Sequence, residues 1–96
     1  MDATITAKDF THALAVTKKA LEKAKIAAPQ KTHLARAAAD FYEMAEHYLK
    51  DAEYFYSKQQ YKLAFGALYY AHGWLDAGAR LGLFDVDHDN TLFTVE

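Results

Sequence analysis

The sequence predicts an all-α fold, a three-helix up-and-down antiparallel bundle with a short C-terminal tail packed on it. Apolar residues recur at alternating four- and three-residue steps in three long segments. The single proline lies between the first two segments, and a short polar break separates the second from the third. Short connections of this kind join antiparallel neighbours. A chain of 96 residues has room for one hydrophobic core, so we expect a single domain over residues 1–96.

The first helix is predicted over about residues 6–28. Pro29 should end it, because the residue before a proline is pushed out of the helical region. Its apolar stripe is Phe10, Leu14, Thr17, Leu21, Ala24 and Ala28.

The second helix is predicted over about residues 32–57 and the third over about 60–81, followed by a tail over 83–96. Gly82 is placed as a glycine that caps the C-terminus of the third helix. The second apolar stripe is Leu34, Ala38, Phe41, Ala45, Tyr48, Ala52 and Phe55. The third is Tyr61, Phe65, Leu68, His72, Leu75 and Ala79, with Ala64 and Ala71 alongside.

The opposite side of the third helix, its back face, is also apolar. Its members on an ideal helix are Leu63, Gly66, Tyr70, Gly73, Trp74, Ala77 and Leu81. An interior glycine costs a helix about 0.8–1.0 kcal/mol relative to alanine, so Gly66, Gly73 and Gly78 imply close approach by another element. The tail could fold back over Trp74 and Leu81, a second copy or a partner protein could dock there, or the face could simply flank the core.

Composition narrows the class of protein. The chain has no cysteine, which excludes disulfides and thiolate metal sites and fits a reducing compartment. Neither a signal peptide nor an apolar stretch long enough to span a bilayer is recognisable, so we expect a cytoplasmic protein without membrane contact. Charge is uneven: residues 1–36 hold seven Lys and Arg against three Asp and Glu, whereas residues 37–96 hold four against ten.

His72 and Asp76 lie one turn apart and could form an acid–base pair. A structural histidine satisfied by Asp76 or a tyrosine hydroxyl is the interpretation that the sequence favours. Ser57 is the only serine, and no nucleophile lies near the pair in sequence. We therefore expect no enzymatic activity, no catalytic residue and no cofactor.

Two groups of acidic residues have the composition of a possible cation site. A row on the second helix, Asp40, Glu43, His47 and Asp51, lacks the two Glu-x-x-His pairs of a carboxylate-bridged di-metal bundle, so we expect a solvated flank and no metal. In the tail, Asp85, Asp87, Asp89 and Glu96 match calcium-loop positions, but Asn90 replaces the usual glycine. A turn of aspartates with an apolar segment behind it is the alternative.

Lysines on the first helix offer an alternative function. Lys8, Lys19 and Lys23 lie opposite its core stripe and could contact RNA or a nucleotide. The aromatic residues that single-strand binding would interleave with such a patch lie instead in the other two helices.

The block from Phe55 to Phe84 resembles a small archaeal helical-bundle family catalogued as domain of unknown function three-five-seven. The distinctive part is Ala-Phe-Gly-Ala-Leu-Tyr-Tyr-Ala-His-Gly-Trp-Leu-Asp-Ala-Gly, residues 64–78. The resemblance implies a three-helix bundle from an archaeal cytoplasm and brings no activity or catalytic residue with it.

A looser similarity, through Tyr69-Tyr70-Ala71, is to the helical domains that accompany nucleotidyltransferases and include toxin ribonucleases. The ribonuclease members need an arginine followed four to six residues later by histidine, whereas Arg80 and His88 have seven residues between them. A ribonuclease is therefore disfavoured, and an RNA-associated accessory domain stays open.

Together these observations predict a non-enzymatic protein–protein interaction module. The expected interface is the back face of the third helix, with Leu63, Gly66, Tyr70, Gly73, Trp74 and Ala77, together with the tail. A protein partner and a homodimer are both open. The alternative is an RNA- or nucleotide-associated accessory domain that uses the basic face of the first helix.

Overall fold

A computed structural model describes residues 7–27, 32–86, 89 and 91–93. Its elements in chain order are α1 (Ala7–Lys23), β1 (Lys25–Ile26), α2 (His33–Ser57), α3 (Tyr61–Arg80) and β2 (Phe84–Asp85). The three helices pack against one another, and β1 pairs with β2 in a small antiparallel sheet. The predicted all-α three-helix bundle is confirmed, with this strand pair added to it.

Helices α2 and α3 form the most extensive contact of the bundle. Alanines at positions 38, 45 and 52 of α2 and at 64 and 71 of α3 are buried, which lets the two backbones lie close together. Leu68 and Leu75 of α3 are the largest fully buried side chains. The Thr32 hydroxyl accepts a hydrogen bond from the Ala35 N–H (3.1 Å) and caps the start of α2.

The first helix is shorter than its sequence pattern suggests. A final hydrogen bond runs from the Ala24 N–H to the Ala20 carbonyl, and Lys25 and Ile26 then pair with Asp85 and Phe84. The prediction of a helix to Ala28 is therefore wrong beyond Ala24, because the returning chain supplies strand hydrogen bonds for this segment. Ala28 and Pro29 lie outside the described residues.

The end of α3 confirms the predicted cap glycine. Gly82 has a φ of 78°, in the left-handed region that favours glycine. Its N–H donates to the Ala79 carbonyl (3.1 Å), and the Leu83 N–H donates to the Gly78 carbonyl (2.8 Å). This paired arrangement is a Schellman motif. It reverses the chain so that Leu83 and Phe84 turn back into the core.

Two apolar clusters form the core. One gathers side chains from all three helices and the C-terminal segment: Ala20, Ala24, Ala38, Ala45, Leu75, Leu83, Phe84, Val86 and Phe93. The other comprises Phe10, Leu49, Ala52, Ala64, Leu68 and Ala71. The expected packing of the tail on the bundle is thus confirmed for its described residues.

Two members of the predicted stripes lie outside the core, and two helical core residues were missed. Leu34 is 60% exposed and Tyr61 is 38% exposed, since both lie in the first turn of their helices. Ala20 and Leu49, which the predicted stripes did not include, are buried.

Candidate docking site between α2 and α3

The back face of the third helix is largely uncovered. Leu63, Tyr70 and Leu81 are 53%, 55% and 68% exposed, and Gly66, Gly73 and Ala77 are also exposed. Tyr69, which the sequence analysis did not assign to this face, is exposed beside it. An apolar helix face of this extent on a small domain is unusual for plain surface.

The three helical glycines differ in their surroundings. A Cβ at Gly78 would lie 2.5 Å from Phe84 Cδ2, so the tail does approach the helix there. A Cβ at Gly66 or Gly73 would meet nothing within 4 Å. Within the described chain a close neighbour is therefore present at Gly78 and not at Gly66 or Gly73, where close approach by another chain stays a prediction.

The described residues of the tail pack into the core and leave Leu81 of the back face exposed, unlike the alternative in which the tail folds over it. Leu83, Phe84, Val86 and Phe93 are buried in the core cluster that includes Leu75 and alanines of α1 and α2. Leu81 stays 68% exposed, because the Schellman turn directs the following residues toward the core instead of back over this position. Within the described residues, the tail therefore does not cover the back face near Leu81.

Trp74 belongs to the groove between α2 and α3, not to the open surface. Its ring is partly buried and meets the Phe41 ring edge-to-face, with centroids 5.0 Å apart. Tyr70 lies next along α3, 6.3 Å from Trp74 and 4.6 Å from Tyr48, again edge-to-face. These four rings form a continuous aromatic row along the α2–α3 seam.

Two open pockets adjoin this row. The first, here called the Trp74 pocket, has a volume of about 350 Å³ and is lined by Phe41, Tyr69, Tyr70, Gly73, Trp74 and Ala77. The second, the Leu63 pocket, has a volume of about 240 Å³ and is lined by Tyr48, Asp51, Phe55, Leu63, Gly66, Ala67 and Tyr70. Tyr70 lines both pockets, so its ring separates them.

The indole nitrogen of Trp74 is enclosed and makes no hydrogen bond within the described part of the chain. A buried donor left without an acceptor is costly, and its presence in a native fold calls for a local reason. The indole ring is held by packing against Phe41 and the core cluster. Apolar packing, and not a hydrogen bond from the indole N–H, therefore positions the Trp74 side chain within the described part of the chain.

The sequence pattern identified the six back-face residues that line the pockets but assigned Phe41, Tyr48 and Phe55 to the core stripe of the second helix. All three are only partly buried and line the pockets from the α2 side. Their spacing of seven residues places them on one line along α2, but the buried Ala38, Ala45 and Ala52 share that spacing, so the sequence pattern did not separate the two rows.

Carboxylates border the groove along α2. Asp51 lines the Leu63 pocket, and Asp40, Glu43 and Glu46 line an adjoining surface depression that also includes Tyr48 and the cation Lys50. His47 Nε2 lies 3.7 Å from Asp51 Oδ2. Within the ranges that the structure describes, no group of three or more His, Asp or Glu side chains is placed to hold a metal ion.

His72 links α1, α3 and the tail. Its Nε2 lies 2.7 Å from the Leu92 carbonyl oxygen, which can only accept, so this nitrogen carries the proton. Nδ1 then accepts from the Thr17 hydroxyl, 3.1 Å away. Asp76 Oδ1 lies 3.6 Å from Nε2. The hydrogen-bond partners are Thr17 and Leu92, not the Asp76 or tyrosine partner that the sequence suggested.

Asp89 organises the end of the tail. Its Oδ1 accepts hydrogen bonds from the Thr91 hydroxyl (2.6 Å), the Thr91 N–H (3.0 Å) and the Leu92 N–H (3.0 Å). The Thr91 hydroxyl bond, then the Leu92 backbone bond and the nearby Lys23, lower the pKa of Asp89 against a smaller opposing effect of desolvation. Asp85 lies in β2, and Asp87, Asn90 and Glu96 of the calcium-loop pattern lie outside the described residues.

The lysines of α1 are partly engaged within the chain. Lys23 Nζ lies 3.7 Å from Asp89 Oδ2, and the neighbouring Lys18 Nζ lies 3.3 Å from Glu53 Oε2. Lys8 and Lys19 are exposed. Fewer lysines of α1 are therefore free to contact another molecule than the sequence indicates.

The fold and this site define a small helical bundle with an exposed apolar groove. The family model described as "Protein of unknown function (DUF357)" matches residues 14–84, about three-quarters of the chain, and the chain belongs to this family. The match includes α2, α3 and every residue that lines the two pockets. A search of curated proteins and a search of solved structures both found no match. No helix in the described part of the chain is both long and apolar enough to cross a membrane.

Proposed function

We propose that this protein is a non-enzymatic interaction module that binds a helix of another protein along the back face of α3 and the adjoining edge of α2. One observation carries the proposal. Gly66 and Gly73 lie in the middle of an exposed helix face, and a Cβ at either position would meet nothing within 4 Å.

Glycine at such positions needs a reason. Each costs the helix about 0.8–1.0 kcal/mol relative to alanine, and the whole stability of a domain this size is roughly 5–14 kcal/mol. Close packing accounts for Gly78 but not for Gly66 and Gly73. Small residues on a helix surface allow a second helix to approach closely, and the exposed Leu63, Tyr70 and Leu81 supply apolar surface around them.

The absence of enzymatic activity is part of the same proposal. His72, the one histidine considered for acid–base chemistry, uses one ring nitrogen on Thr17 and the other on a backbone carbonyl. These contacts support a structural role that ties the tail to the bundle. We place the protein in the cytoplasm, which fits a chain without cysteine.

The test compares three versions of the chain as affinity baits in lysate from the native host. Gly73→Leu adds a large side chain at a position that lines the Trp74 pocket, where a Cβ would meet nothing within 4 Å, and Ala39→Leu adds the same side chain to an exposed site of α2 outside both pockets. We expect a stoichiometric protein partner that is retained by the wild type and by Ala39→Leu, is lost with Gly73→Leu, and survives nuclease treatment. The proposal would be rejected if Gly73→Leu retained the captured partners as well as the wild type does.

The alternative of RNA or nucleotide binding through Lys8, Lys19 and Lys23 stays a prediction. The nuclease arm of the same experiment addresses it. The alternative would be supported if nucleic acid co-purified with the wild-type bait and with Gly73→Leu. The double variant Lys8→Glu, Lys19→Glu should then no longer recover it. Such binding should also weaken steeply as salt is raised.

A further inference from the structure

We infer that the groove is built for an amphipathic helix with two large apolar residues seven positions apart and with lysine or arginine along the edge that meets α2. This inference rests on the proposed function and adds the chemistry of the partner. It draws on two independent features, the spacing of the pockets and the charge beside them.

The pocket spacing sets the positions of the apolar anchors. Gly66 lines the Leu63 pocket and Gly73 lines the Trp74 pocket, with Tyr70 standing between them. Seven residues of α-helix span about 10.5 Å. A partner helix lying along α3 presents residues seven apart at the same separation, on one face. Two apolar side chains in this register would straddle the ring of Tyr70 and enter one pocket each.

The carboxylates along α2 determine which side chains we expect on the side of the partner helix that faces α2. Asp51 lines the Leu63 pocket itself. Asp40, Glu43 and Glu46 line the adjoining depression, where Lys50 is the one lysine. Tyr48 lines both surfaces, so the depression adjoins the groove, although Glu46 lies near Tyr42 and Glu22 on the side of α2 toward α1. Basic residues on the facing edge of a bound helix would complement this edge and speed association.

A second copy of the chain fits these features less well. In a two-fold dimer with antiparallel α3 helices face to face, the α2 edge of one protomer would face the α2 edge of its partner. The carboxylates of Asp40, Glu43 and Asp51 would then face the same acidic edge of the other protomer, and like charges brought together oppose association. We therefore take a heterologous basic helix as the occupant.

The test uses synthetic helical peptides of about 20 residues, long enough to form a helix in water when rich in alanine. The first carries two leucines seven positions apart and lysines along one edge. The second replaces those lysines with glutamates, and the third replaces the two leucines with alanines. None contains tryptophan, so Trp74, the single tryptophan of the chain, reports occupancy of its own pocket by fluorescence. Calorimetry provides the affinity independently.

We expect the lysine-edged peptide to bind the wild-type chain about tenfold more tightly than the glutamate-edged peptide at low salt, a gap that narrows as salt screens the charges. The peptide without leucines should lose binding and leave the Trp74 emission unchanged. Asp51→Lys should remove most of the tenfold preference. Glu22→Lys, the same change of charge on α1 outside the lining of either pocket, should preserve it.

Failure of this inference can be told apart from failure of the proposed function. Equal affinity for the two charged peptides, or no peptide binding while Gly73→Leu still removes the native partner, would overturn the partner chemistry and leave the helix-binding function in place. A dimer in sedimentation that Gly73→Leu dissolves would identify a second copy as the occupant and also overturn the inference. Peptide binding that Gly73→Leu leaves unchanged would overturn both, because the groove would then not be the site.

Discussion

Phe84 lies so close to Gly78 that a side chain at position 78 cannot be added without moving the ring. A Cβ there would lie 2.5 Å from Phe84 Cδ2 and 3.1 Å from Cζ. Phe84 is 3% exposed and packs within the core cluster that joins the tail to all three helices. The absence of a Cβ at Gly78 is thus what allows the chain to return across α3 and pair as β2 with β1.

This relationship predicts opposite effects at glycines of the same helix. Gly78→Ala should lower the free energy of unfolding by about 1–2 kcal/mol, because overpacking costs roughly 1–3 kcal/mol and the gain in helix propensity offsets part of it. Gly66→Ala and Gly73→Ala should each raise it by about 0.8–1.0 kcal/mol, since nothing obstructs the new methyl group. Urea unfolding of the three variants measures this. A stabilised Gly78→Ala variant would contradict the packing described here.

A second prediction concerns the link between Thr17 and His72. Thr17 is 4% exposed, so replacing its hydroxyl by a methyl group in Thr17→Val leaves His72 Nδ1 without its donor. We expect a loss of about 1–2 kcal/mol in the free energy of unfolding. Thr11→Val, at an exposed position of the same helix, should change it little. Equal stability of the two variants would show that the hydrogen bond contributes nothing.

The tail should loosen in acid through Asp89. Because the folded-state pKa of Asp89 is lowered from its ordinary value of 3.8, its ionised form stabilises the fold above that pH. This contribution is lost as the pH falls through the lower folded-state pKa. The melting temperature of Asp89→Asn should therefore lie below that of the wild type at pH 6, and the difference should shrink as the pH is lowered below 3.8.

The control for this prediction is Glu22→Gln, which neutralises an exposed carboxylate of α1. Its melting temperature should follow that of the wild type across the same pH range. A difference between Asp89→Asn and the wild type that stays constant with pH would mean that the charge of Asp89 does not support the tail.

Ala77→Glu tests the back face at a residue that lines the Trp74 pocket. Ala77 is exposed, so the stability of the free chain should change by less than about 0.5 kcal/mol. Binding of the helical partner should be lost, because a carboxylate would be buried against apolar surface. Co-purification and calorimetry measure this, with Ala39→Glu as the matched control. If complex formation, oligomeric state and stability all stay unchanged, the face is ordinary solvent-exposed surface.

Part of the candidate site followed from the sequence. The helical period placed Leu63, Tyr70 and Ala77 together on the side of the third helix away from the core, and the structure leaves all three exposed. The α2 wall of the groove did not follow. Phe41 and Tyr48 share an apolar stripe with the buried Ala45, and only the packing angle between two helices determines which part of a stripe is enclosed.

The sequence by itself determined the elements whose causes are local. Apolar periodicity specified three helices, and Gly82 specified the end of the third, because each depends on residues within a few positions along the chain. Only the tertiary structure decided where α1 stops and which glycine is packed. Lys25 and Ile26 pair with residues about sixty positions later, and Gly78 meets a ring that arrives after a chain reversal. Both contacts join segments that meet only when the bundle has formed, so no local pattern encodes them.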